Sequence, residues 1–89
     1  MGDYVENVYY GPHAASGTVT GWRVAIHKGS PSLWAELGDA NGNQHAALLS
    51  AARTSQSAFD TEAGNVWGSA YSGLTLGVRQ SIRAAVAGY

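Results

Sequence analysis

Apolar and polar residues alternate with a period of two along much of the first forty positions, the signature of strands with one buried face. The clearest run is Thr18 to Lys28, where Trp22, Val24 and Ile26 alternate with Arg23, Ala25 and His27. Asp3 to Tyr10 behaves alike: Tyr4, Glu6, Val8 and Tyr10 form the more apolar set, and Val5, Asn7 and Tyr9 the other. Gly11-Pro12 predicts the end of that strand, because proline cannot donate to a ladder.

From Ser32 to Ser50 the pattern predicts a hairpin. Asn41-Gly42 is the dipeptide that a type I′ turn requires, and it lies between two apolar runs. A turn there pairs Leu37 with Ala46 and Trp34 with Leu49. Leu33, Ala35, Leu37, Ala46 and Leu48 then form a core face, with Trp34, Glu36, His45, Ala47 and Leu49 on the other.

The second half of the chain fits two periods. Residues 46–59 are rich in alanine and read as a strand through Asn41-Gly42, or as a helix with Leu48, Ala52 and Ser55 on one side and Asn43 as its cap. Asp60 to Asn65 reads as a loop and Val66 to Tyr71 as a short strand. The tail alternates as a strand (Val78, Gln80, Ile82, Ala84, Val86). As a helix it gathers Val78, Ile82, Ala85, Val86 and Tyr89 on one stripe. Arg79 and Arg83 share a face under either period.

The expectation is an all-β fold, a small antiparallel β-sandwich or partly open barrel. Its strands fall near 3–10, 18–28, 32–38, 44–50, 65–71 and 76–87. The alternative is α+β, with helices at about 44–57 and 76–88 on a three-stranded sheet.

Composition narrows the function classes. The 89 residues suffice for a single domain spanning 1–89 with one core. Charged residues make up 12% of the chain, against roughly 25% in ordinary soluble domains. With five basic residues dispersed along a chain of net charge −1, neither nucleic-acid binding nor a polybasic membrane patch is expected. There is no cysteine, so thiolate metal sites and disulfides are excluded. The sequence MGDYVENVYY lacks the features of a secretory leader, and no apolar run approaches a membrane span. Low charge with abundant Gly, Ser, Thr and Ala leans towards an extracellular location or a place within an assembly.

The candidate site is the polar face of the middle strands: Arg23 and His27 from one, Trp34, Glu36 and His45 from the predicted hairpin. An aromatic platform among charged and imidazole groups suits a carbohydrate, whose apolar ring face stacks while its hydroxyls take hydrogen bonds. Metal binding by His13, His27 and His45 with Glu36 or Asp39 is not expected, because the spacing fits no ligand motif. Asp39, Asn41 and Asn43 resemble a calcium loop only in their spacing: Gly42 is fourth rather than sixth, and Ser50 stands where glutamate is required. No nucleophile elbow, phosphate loop or dinucleotide fingerprint is present. The expectation is therefore a non-catalytic binding module without cofactor or metal. The competing expectation is a self-assembling structural or protein-interaction subunit, a homo-oligomer that buries Tyr4, Tyr9, Tyr10, Trp67 and Tyr89 in protein contacts.

Overall fold

A computed structural model describes the backbone of residues 5–15, 18–29 and 32–89, with side chains described at 8–12, 21–26, 37 and 40–89. Three strands, β1 (Val5–Ala15), β2 (Thr18–Gly29) and β3 (Ser32–Ala40), form an antiparallel sheet in the order β1-β2-β3. Four helices follow: α1 (Gly42–Ala52), α2 (Gln56–Trp67), α3 (Ser69–Ser72) and α4 (Leu76–Ala87). The fold is α+β. The β-sandwich or barrel is therefore corrected, since the segments expected as strands at 44–50, 65–71 and 76–87 lie in helices, and the α+β alternative fits.

The correction turns on Asn41. Its φ of −78° and ψ of 177° are extended, not the positive φ of a type I′ turn. Asn41 is instead the N-cap of α1. Its side chain accepts from the Gln44 backbone N–H at 2.8 Å, and the Gln44 side chain accepts from the Asn41 N–H at 2.8 Å. This reciprocal capping box satisfies two donors that a helix start otherwise leaves open. The cap is Asn41 and not Asn43, and Ala46 to Leu49 continue a helix instead of returning along Trp34 to Leu37.

Side-chain oxygens start the next two long helices as well. Ser55 accepts from the Ala58 N–H and caps α2, while Thr75 accepts from the Val78 N–H and caps α4. Thus the expected helix at 44–57 is divided by a new cap at Ser55, and the expected loop at Asp60–Asn65 is the middle of α2. Gly68 ends α2 at φ +63°, a conformation glycine takes without the Cβ penalty, and α3 turns away immediately after it.

β1 also runs through Gly11-Pro12, where the sequence predicts a stop. Proline is tolerated there because β1 is an edge strand, and exposed Pro12 lies opposite Trp22 in the register.

The core lies between one face of the sheet and the helices. Tyr10, Val24, Ile26 and Ala40 come from the sheet, and Leu48, Ala52, Phe59, Ala63, Trp67, Tyr71, Ile82 and Val86 from the helices. Most of the stripe expected for a helical tail is realised in α4: Ile82 and Val86 are fully buried, with Val78 and Ala85 packed beside them, but Tyr89 lies past the end of the helix and is exposed. α1 and α2 pack against each other, and α4 packs against β1 and α1.

Candidate binding face

Because the buried hydrophobic side chains described in the sheet are Tyr10, Val24, Ile26 and Ala40, the alternating register positions belong to its other face. Three cross-strand rows occupy those positions: Asn7, His27 and Trp34; Tyr9, Ala25 and Glu36; Gly11, Arg23 and Asp39. Between Arg23 and Ala25 the β2–β3 register shifts by one, because β3 carries an extra residue at Leu37–Gly38. This bulge lets Glu36 and Asp39, three apart, both fall on that face, while Leu37 packs against the core.

Tyr9 is the described aromatic of this face and is 49% exposed. Its ring reaches across Gly11: a Cβ built at Gly11 would lie 2.6 Å from the Tyr9 hydroxyl oxygen and 3.0 Å from Cζ. Glycine at position 11 is what allows that close approach. Arg23 and Ala25 are partly buried.

Of the five residues expected to form the site, four retain their juxtaposition in the backbone register. His27 stands directly opposite Trp34, Ala25 separates His27 from Arg23 along β2, and Glu36 lies opposite Ala25. The side chains of His27, Trp34 and Glu36 lie outside the described residues, as does that of His13. His45 does not join them. It belongs to α1, on the helix side of the sheet, because Asn41 begins a helix.

There His45 enters an aromatic cluster that period-two reasoning does not reach. Its ring stacks on Trp22 with centroids 3.5 Å apart and planes within 3°, and its Nδ1 lies 2.6 Å from the Tyr10 hydroxyl. Tyr89 meets Trp22 edge-on at a centroid distance of 4.8 Å. Burial lowers the His45 pKa from its ordinary value near 6.5, since desolvation disfavours the imidazolium. Burial, and then the Tyr89 hydroxyl, push the Tyr10 pKa up. The cluster joins β1, β2, α1 and the end of the chain.

The chain resembles no known protein family, curated protein or solved structure in a significant match.

A second polar cluster lies among the helices. The Asp60 carboxylate accepts from the Tyr71 hydroxyl at 2.6 Å, from Arg79 Nη1 at 2.6 Å and from Gln56 Nε2 at 2.9 Å. Burial pushes the Asp60 pKa up, but the hydrogen bonds from Tyr71 and Gln56 and the Arg79 charge outweigh it and hold the carboxyl below its usual value. Every partner is a side chain of α2, α3 or α4, so this is a tie between helices. Among the described residues no group of three or more His, Asp or Glu is arranged to hold a metal ion, and no helix is long and apolar enough to cross a membrane.

Proposed function

We propose that this domain is a non-catalytic binding module whose ligand surface is the sheet face bearing Tyr9, Arg23, His27, Trp34 and Glu36. The observation that carries the reading is the three-by-three register. It sets two aromatic residues on the outer strands beside small Ala25 and Gly11, with charged and imidazole residues around them. With the Tyr9 ring lying over Gly11, Ala25 is the small position left between the aromatics as a shallow seat, and the flanking polar groups can orient a ring-shaped polar ligand such as a carbohydrate. The core helices pack on the opposite face, so occupying the seat requires no rearrangement of the fold.

The test is a glycan array followed by titration calorimetry on the wild type, Trp34→Ala and Tyr9→Ala. The expected result is saturable binding by the wild type and at least about tenfold weaker binding by each variant, with circular dichroism unchanged. Loss of the fold in Trp34→Ala would assign that residue to packing and remove it from the surface.

A second reading is self-assembly. It is favoured by the strand order, which leaves β3 with a single strand neighbour among the described residues, an edge able to pair with another chain. Sedimentation across a wide concentration range separates the readings. A closed homo-oligomer with no array hits favours assembly, and a monomer that binds glycans favours the module.

A further inference from the structure

Two arginines one turn apart on α4 are treated differently. Arg79 has its carboxylate: Nη1 lies 2.6 Å from Asp60 Oδ2, and Nε donates to the Leu74 carbonyl. Arg83 has none among the described residues. Its Nε donates to the Ala52 carbonyl at 2.8 Å, which fixes the guanidinium against the last turn of α1. Arg83 also lines a groove of about 390 Å³, together with Ala52, Gln56, Gln80, Ala84 and Ala87.

The groove follows from residue size. Positions 80, 83, 84 and 87 share one face of α4, and alanines at 84, 87 and 52 leave open a space that larger apolar side chains would fill. A partly buried guanidinium without a counter-ion, held in one orientation beside an apolar floor, is suited to an anion with an apolar tail. Its single charge limits the choice. The groove offers one guanidinium, and the carbonyl end of α1 against which it is held disfavours a second negative charge, so a monoanion matches best.

The polar rim refines the match. Gln80 is exposed at one side, with an amide N–H group able to donate to a carboxylate, while Gln56 gives its own Nε2 to Asp60. The wider charge distribution agrees in sign. Residues 41–89 carry Arg53, Arg79 and Arg83 against Asp60 and Glu62, a net +1, whereas residues 1–40 carry Asp3, Glu6, Glu36 and Asp39 against Arg23 and Lys28, a net −2.

We propose that the groove between α1, α2 and α4 is a binding site for a carboxylate on a short apolar chain, with Arg83 taking the carboxylate and the alanines the chain. This site is separate from the sheet face and does not depend on its ligand. The carboxylate can come from a free small acid or from the C-terminus of a peptide, and the two sources share the same recognition chemistry.

Chemical-shift titration of the isotope-labelled protein tests the assignment. Butyrate is expected to shift the Arg83 Nε–H and the amides of Gln80 and Ala84 saturably, with a dissociation constant on the order of a millimolar. Butyramide, neutral and of the same shape, should not. R83Q should weaken butyrate binding about tenfold or more, and A84L, at an exposed position that fills the groove, should abolish it. A84L also carries the test if R83Q fails to fold. N-acetylated trialanine identifies the source: tighter binding than butyrate supports the site as a reader of peptide ends, and weaker binding supports it as a site for free acids. Absence of saturable shifts with both acids, equal shifts with butyramide, or binding unchanged in R83Q and A84L would overturn the proposal.

Discussion

The helical half and the sheet half divide stability and display between them. Among the described residues, eight of the twelve buried hydrophobic side chains come from α1 to α4, and the cluster of Asp60 with Tyr71, Arg79 and Gln56 ties three of those helices together. The sheet contributes four buried residues from one face and sets Tyr9, His27, Trp34, Arg23 and Glu36 at the positions of the other. A three-stranded sheet with helices on one side keeps one face for the core, and substitutions on its second face leave that core intact. The difference places the buried core and the proposed binding face on opposite sides of the sheet, and each half offers a way to test whether stability and binding can be separated.

The largest effect belongs to the helical core. Phe59→Ala should lower the unfolding free energy by about 3–5 kcal/mol and Ile82→Ala by about 2–5, measured by urea denaturation. Tyr9→Ala, on the exposed face, should change it by no more than about 0.5 kcal/mol. A large loss at Tyr9 would break the division.

Asp60→Asn comes next, at about 1–3 kcal/mol, because it removes the ionic acceptor shared by Tyr71, Gln56 and Arg79. Acid should do the same to the wild type. Since the folded carboxyl titrates below its ordinary value, the stability it supplies is present above the unfolded pKa and is lost as pH falls through the folded one. Denaturation of wild type and Asp60→Asn at several acidic pH values should show the acid loss only in the wild type.

His45 gives a smaller effect of the same sign. Its pKa is lower folded than unfolded, so the unfolded chain binds the proton first and stability rises with pH through the window just below 6.5. His45→Phe, which keeps an aromatic ring against Trp22, should remove that slope, as read from denaturation midpoints between mildly acidic and neutral pH.

The smallest stability change is expected for Gly11→Ala. The added methyl meets only the far end of the Tyr9 side chain, so the ring swings aside at a cost of about 0.5 kcal/mol or less. Tyr9 ring proton shifts should nonetheless change markedly, and ligand binding at the face should fall.

Much of the sheet is legible from alternation, because a period of two maps directly onto burial. Val24 and Ile26 against Arg23 and Ala25, and Val8 and Tyr10 against Tyr9, divide between the two faces as the pattern predicts. The helices are harder to read. Asn41-Gly42 satisfies the residue preferences of a hairpin turn, and the same asparagine with Gln44 three positions on satisfies those of a capping box. Alanine-rich sequence on the far side tips the balance towards the helix, since alanine gains more from helical than from strand backbone. The consequence for the site is direct: His45 leaves the strand face, while Arg23, His27, Trp34 and Glu36, which precede Asn41, keep their register. The Trp22–His45 stack has no sequence signature, because it forms between elements once α1 folds back over β2.

α4 packs against β1, and Tyr89 reaches Tyr10, so the last helix closes onto the first strand. Each strand pairing joins neighbours in sequence, but this seam joins segments some seventy residues apart. A force applied to the two ends of the domain would load the seam before any strand ladder. It is held by side-chain contacts and not by a continuous hydrogen-bonded ladder, so the path between the two ends runs through α4, whose anchors are the seam itself, the Arg79–Asp60 pair and the Arg83–Ala52 bond.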